Sequence, residues 1–174
     1  KRTSLATSVK VKVIFFRHEP AGDRDEFAKS NRDDRDRPLT DPGIVETRKA
    51  AIALNRIANI GNSLVLTSPW TRAFQTAEIL ANECGGRVEI CEGLIPPMCH
   101  SEFRRYIEGL NVEKLVIVGH NPDLSDFLAS LLKTGTDSGI SLNKAGAAIV
   151  QNKSGVYRMN AFFSRQVLIK SDRK

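Results

Sequence analysis

Val13 to Phe16 is an unbroken apolar run with no polar alternation, the pattern of a parallel strand covered on both faces. The whole stretch Val9 to Phe16, rich in β-branched and aromatic residues, therefore reads as a first strand. Ser63–Thr67, Arg87–Cys91 and Lys114–Val118 read as three more. Helical signals fall between them. Asp41-Pro42 reads as an N-cap followed by proline at the first helical position. Thr47, Ala50, Ala51, Leu54, Ile57 and Ala58 then share one face up to about Ile60, and Gly61 is placed to stop the helix. Ser68-Pro69 repeats the start signal for a helix to about Cys84, and Ser101 to Leu110 is a shorter, weaker one. Asn121-Pro122 precedes Leu124, Phe127, Leu128, Leu131 and Leu132 at helical spacing. Ala145–Val150 and Val156–Phe163 read as closing strands around a turn at Lys153-Ser154-Gly155. Strands alternating with helices predict an α/β fold, a three-layer α/β/α arrangement with a mainly parallel central sheet. The 174 residues suit a single domain, with a core from about residue 9 to 163.

The Gly22–Pro38 segment crowds Asp, Glu, Arg and Lys together and reads as a flexible loop over one end of the sheet. A hard cation there would use Asp33, Asp34 and Asp36. Arg32, Arg35 and Arg37 alternate with them, which argues against converging oxygens. No metal and no cofactor is expected. Cys84, Cys91 and Cys99 are odd in number and lack metal-site spacing, so a reducing, cytoplasmic setting is expected. Lys1 to Lys10 is polar, without the apolar stretch of a signal peptide, and no window is long and apolar enough to cross a bilayer. The net charge of +6 would attract anionic ligands. Its basic residues are interleaved with acids and lack aromatic partners, so nucleic acid is not expected. Nothing in the sequence demands more than a monomer.

Three strand ends carry the residues that can do chemistry. The first ends in Arg17-His18. The second ends in Thr67-Ser68, one helical turn before Arg72. The fourth ends in Gly119-His120. In open parallel sheets, ligands bind outside the carboxyl ends of the strands, so these groups are expected to meet at one edge, where two helix N-termini also favour an anion. Taken singly, a strand-end histidine is more often structural and an arginine in a first helical turn is more often a surface residue. The joint placement is what points to phosphoryl transfer. Arginine's planar fork fits phosphate oxygens, and a neutral imidazole can act as nucleophile at neutral pH. His100 has no such partner and reads as a surface residue in a loop.

Phe16-Arg17-His18, Arg37-Pro38-Leu39-Thr40 with Gly43, Thr67-Ser68-Pro69 with Arg72-Ala73 and Gln75-Thr76-Ala77, and Val118-Gly119-His120-Asn121-Pro122 together resemble the histidine phosphatase superfamily. The Arg-Pro-Leu-Thr element, the short chain and Leu142-Asn143-Lys144-Ala145-Gly146 resemble its SixA-type branch, the phosphohistidine phosphatases. The likeness runs from about Val11 to Val150. It implies that His18 is the nucleophile and that Arg17, Arg72 and His120 complete the phosphoryl pocket, with His120 donating hydrogen bonds to the transferring oxygens. The backbone N–H of Asn121 would add a donor. It implies a metal-independent phosphatase with a covalent phosphohistidine intermediate, acting on a phosphorylated protein or a small phosphorylated molecule. Glu19-Pro20 departs from the family, which usually has a small residue after the histidine. Glu19, counted with the substrate-binding candidates, can orient the nucleophile, donate a proton or point away. The proton donor to the leaving group has four candidates, Glu19, Asp25, Glu26 and Glu92, and none stands out. A silent phosphate-binding module is the competing class. Retention of both histidines and both arginines argues against it.

Overall fold

The computed structural model describes residues 10–18, 21–135 and 138–170. Val9, Glu19 and Pro20 lie outside them. One six-stranded sheet organises the chain. Its strands are β1 (Lys10–Arg17), β2 (Leu64–Thr67), β3 (Arg87–Ile90), β4 (Lys114–Gly119), β5 (Ala147–Lys153) and β6 (Val156–Phe163). The order is β3-β2-β4-β1-β5-β6. β1, β2, β3 and β4 pair in parallel, whereas β5 runs antiparallel to β1 and β6 antiparallel to β5.

The unalternating apolar runs are explained by the layers on either side. Ile14, Phe16, Val65, Val116 and Val118 pack into one core with Ala50, Leu54, Ala73, Ala77 and Leu80. These belong to α2 (Asp41–Ala58) and α3 (Thr71–Cys84). Val13, Phe15, Leu66, Leu115 and Ile117 pack into a second core with Phe103, Ile107, Leu124, Phe127 and Leu128. These lie on α4 (His100–Glu108) and α5 (Asp123–Leu132). Successive strand residues point to opposite faces, so both sets must be apolar when both faces are covered. Each such side chain contributes about 1.5–3 kcal/mol by leaving water.

Several helix boundaries differ from the sequence reading. Thr40, not Asp41, caps α2: its Oγ1 accepts from the Gly43 N–H, and Pro42 stands one position further in. The helix stops at Asn59, which adopts φ 47° and donates its N–H to Asn55 O, so Gly61 is not the terminator. Asparagine tolerates this left-handed conformation better than most residues. α3 begins at Thr71, later than Ser68-Pro69 implied, although Ser68 Oγ does accept from the Trp70 N–H. The tail after Ser164 forms a short helix, Arg165–Lys170, tied to α2 by an Arg165–Glu46 hydrogen bond.

The Gly22–Pro38 segment is not a featureless loop. It holds α1 (Arg24–Ala28), capped by Asp23, and a 3-10 turn at Asp34–Asp36. An Ala21–Leu39 bridge joins its ends, Arg37 Nη1 donates to Gly22 O at 2.5 Å, and the Leu39 N–H donates to Gln75 Oε1 on α3. Its charges pair with one another and, through Asp34, with Arg72 on α3.

Candidate active site

The carboxyl ends of β1, β2 and β4 lie side by side because these strands are parallel neighbours. Phe16 and Thr67 both stand opposite Val118. The chain leaves each strand still tied to the sheet: the His18 N–H donates to Gly119 O and the Ser68 N–H to Val118 O. This register brings His18 against His120, with ring centroids 4.9 Å apart in an edge-to-face arrangement. Both are buried, at 8% and 4% exposure. They line a cleft of about 380 Å³ with Arg17, Arg72 and Trp70.

Each arginine is held from behind. Arg17 Nη1 donates to Leu142 O at 2.9 Å. The same carbonyl accepts from Asn121 Nδ2, while Ser125 Oγ donates to Asn121 Oδ1 and accepts from the Leu142 N–H. Arg72 Nη1 donates to Asp34 O at 2.7 Å and Nη2 to Asp34 Oδ2 at 3.1 Å. Its guanidinium lies 4.6 Å from the Trp70 ring, and the other partner of that ring is His120, also 4.6 Å away. Arg72 is 4% exposed. Burial lowers the pKa of both arginines, and for Arg72 the Asp34 carboxylate opposes that shift. A guanidinium nevertheless stays protonated in proteins, so both remain cationic.

His120 Nε2 stands 3.0 Å from Ser68 Oγ. Burial pushes its pKa down to about 3, helped by the positive fields of His18, Arg72 and Arg17 and opposed by Asp34. The imidazole is therefore neutral at pH 7. If the Ser68 hydroxyl donates to Nε2, the proton resides on Nδ1. That nitrogen, Arg17 Nε, Arg72 Nε and Trp70 Nε1 are all buried without a hydrogen-bond partner. Such groups each cost about 1–3 kcal/mol when left unpaired.

Residues 14–95 match the model of the histidine phosphatase superfamily (branch 1). An uncharacterized protein of Picosynechococcus sp. is 36% identical over 91% of this chain and 94% of its own length. The protein histidine phosphatase SixA, in complex with tungstate, superposes with a TM-score of 0.78 at 25% identity, covering 91% of this chain and 99% of that one. A putative phosphohistidine phosphatase SixA from Agrobacterium tumefaciens gives 0.70 at 20% identity, over 88% and 98% of the two chains. The family-model match and the SixA structures together support the histidine phosphatase superfamily and its SixA-type branch, and with them a phosphatase.

The structure brings His18, Arg17, Arg72, His120 and Asn121 to one cleft lining. Asn121 precedes α5, where Pro122 occupies the cap position, and its side chain is committed to holding Leu142. Leu142-Asn143-Lys144-Ala145-Gly146, legible in the sequence only as a likeness, thereby acquires a physical role, because its first residue positions Arg17. Glu19 falls outside the described residues. Asp25, Glu26 and Glu92 do not line the cleft. Among the described residues the carboxylates that do are Asp34 and Asp123. Burial opposes ionisation of Asp34. The hydrogen bond from Arg37 and the charges of Arg72, Arg37 and Arg24 outweigh it and hold the carboxyl below the usual range. Asp123 accepts the Met98 N–H. His100 is the first residue of α4 rather than a loop residue, half-buried against Phe127. Sequence reasoning missed Asp34 and Trp70. Asp34 precedes Arg37 by one helical turn, and Trp70 lies just past the end of a strand that the motif already marked. Among the described residues no three His, Cys, Asp or Glu side chains converge as a metal site.

Proposed function

We propose that this chain is a metal-independent phosphatase that takes the phosphoryl group onto His18, and that its substrate is phosphohistidine in a protein. The observation that carries the reading is the convergence, beside the His18 ring, of buried N–H donors without protein partners. Arg17 and Arg72 are each fixed through Nη1, which leaves the Nε–Nη2 edge to grip phosphoryl oxygens in a fork. Nδ1 of neutral His120 supplies a further donor. Charge spread over the equatorial oxygens is stabilised by these groups without a metal ion. A SixA protein that binds tungstate, a tetrahedral oxyanion, has the same fold.

In the first step the lone pair of an imidazole nitrogen of His18 forms a bond to phosphorus, and the bond from phosphorus to the leaving nitrogen breaks. The leaving imidazole departs with a proton already on its ring. In the second step water attacks phosphorus, the bond to His18 breaks, and inorganic phosphate leaves. Among the described residues both cleft carboxylates are already engaged: Asp34 is ion-paired with Arg37 and Arg72, and Asp123 Oδ1 accepts the Met98 N–H. This suits a leaving group with a pKa near neutrality better than an alkoxide, which needs a strong proton donor. A phosphatase of a small phosphorylated metabolite is the second reading. A glucosyl-3-phosphoglycerate phosphatase, a mycobacterial protein, shares the fold at 14% identity and a TM-score of 0.66.

The test is a rapid-quench assay in EDTA with labelled phosphoramidate on the native protein and His18→Ala. An acid-labile, alkali-stable phosphoprotein present only in the native protein is the expected result. No label on either protein, with folding intact and phosphate tightly bound, would move the assignment to a binding module. Turnover of many alkyl phosphates with phosphohistidine protein untouched would favour the metabolite reading.

A further inference from the structure

Asp34 meets three arginines from three elements. Its Oδ2 accepts from Arg72 on α3 and its backbone oxygen accepts from the same guanidinium. Its Oδ1 accepts from Arg37 Nε at 2.8 Å, and Arg37 in turn holds Gly22 O. Arg24 on α1 stands 3.8 Å away, largely exposed. A carboxylate that bridges two guanidinium groups through different oxygens is a mechanical link as well as a charge. An arginine has five N–H donors in a rigid fork. Asp34 takes one from each terminal nitrogen of Arg72, on the end-on edge. The Nε–Nη2 side edge is the two-donor fork that is left to meet an anion.

Resting on the phosphatase reading above, we propose that Asp34 is a positioning residue: it fixes the plane and the edge that Arg72 presents to the phosphoryl group. Trp70 supports the guanidinium from its face, and Asp34 fixes rotation within that plane. The arrangement gives the Gly22–Pro38 segment a role in catalysis, since the position of Asp34 depends on the Arg37–Gly22 closure and on the 3-10 turn that carries it. Asp34 also trims the field. Its negative charge partly offsets Arg72, so an oxyanion meets a well-placed donor rather than the largest possible positive potential. Loss of Asp34 should therefore hurt the rate, which needs placement, far more than oxyanion affinity, which the extra net positive charge supports. A misplacement of about 1 Å at a reacting centre can cost about 100-fold in rate.

The experiment compares wild type, Asp34→Ala and Asp34→Asn. The readouts are single-turnover phosphoramidate hydrolysis, tungstate affinity by calorimetry, and thermal stability. Asp34→Ala is expected to lose at least roughly tenfold in rate, with tungstate affinity unchanged or tighter and folding intact. Asp34→Asn keeps one acceptor oxygen without the charge, and its rate is expected between the other two. Three results overturn the proposal: an unchanged rate in Asp34→Ala; rate and affinity falling together with a drop in melting temperature, which marks a structural role; or Asp34→Asn as slow as Asp34→Ala, which marks charge alone. If the wild type neither binds tungstate nor turns over phosphoramidate, the phosphatase reading fails first and this proposal falls with it.

Discussion

The depressed pKa of His120 makes the stability of the fold depend on pH in a way one substitution can isolate. In the folded, unliganded protein its pKa is about 3, against an ordinary value of 6.5. Below pH 6.5 the unfolded chain binds a proton at this position and the folded chain does not. Stability contributed by the neutral imidazole is therefore complete above pH 6.5 and is lost as pH falls from 6.5 towards 3. At pH 5 the loss is about 2 kcal/mol, from one and a half pH units at about 1.36 kcal/mol each. For a chain of this size that corresponds to roughly 4–8 °C in melting temperature. The assay is urea unfolding at pH 7.5 and pH 5 for the native protein and His120→Asn. Asparagine can still accept from the Ser68 hydroxyl but does not titrate. All other acid-sensitive groups contribute equally to both proteins, so the native protein should lose about 2 kcal/mol more than the variant over this interval. Equal losses would refute the burial argument. A bound oxyanion reverses the local field and raises the His120 pKa, so tungstate should reduce the difference and its calorimetric binding heat should depend on the buffer.

Two further substitutions test the scaffold behind the cleft. Arg17→Lys removes the planar fork that bonds Leu142 O and that we propose also grips the phosphoryl group, and turnover of phosphoramidate should fall by about 100-fold with the fold intact; a loss below about threefold would show that charge alone suffices there. Gly146→Ala places a methyl 2.9 Å from Asn143 O and 3.1 Å from Phe163 O, both backbone atoms that cannot swing away, so urea unfolding should show a loss of about 1–3 kcal/mol. Because the Arg17 N–H donates to Gly146 O, phosphoramidate turnover should fall as well; an unchanged unfolding midpoint would mean the strand accommodates the methyl.

Much of this site was legible because its chemistry sits where strands end. Strand ends are marked by a switch from an apolar run to a polar residue, and a parallel sheet brings successive strand ends to one edge whatever the loops do. Arg17, His18 and His120 announce themselves this way, and Arg72 follows from the helix that β2 leads into. The helix starts were blurred for a local reason: Thr40 and Asp41 are both good caps, and α3 starts behind Trp70, which makes no side-chain cap bond, while the Ser68 hydroxyl that reads as its cap bonds the Trp70 N–H instead. Asp34 was not legible. In a run of alternating acids and arginines every pairing looks alike, and only the closure of Gly22 onto Arg37 selects Asp34 to face Arg72. Trp70 was hidden because an aromatic near a helix start reads as core. Leu142 contributes through its carbonyl oxygen, a group every residue has, so the side-chain alphabet carries no sign of it.

The placement of charge in this cleft bears on which bond it can break. Among the described residues five cationic side chains line it, Arg17, Arg24, Arg37, Arg72 and Lys144, against two carboxylates, Asp34 and Asp123. Both carboxylates are engaged by hydrogen bonds to other groups. Arg72 and Arg17, two of these cations, also oppose protonation of His120. Among the described residues, a cleft of this kind is rich in N–H donors, and each of its carboxylates already accepts a hydrogen bond. An alkyl ester demands a proton at the moment its bond breaks, whereas a phosphorylated imidazole can take its proton from solvent before it reaches the cleft. Rate ratios between phosphoramidate and a simple alkyl phosphate therefore measure the arrangement itself: a ratio well above that of the two uncatalysed reactions is expected if the engaged carboxylates of the described residues leave the leaving group unassisted. A ratio no larger than the uncatalysed one would require a proton donor that the described residues do not provide.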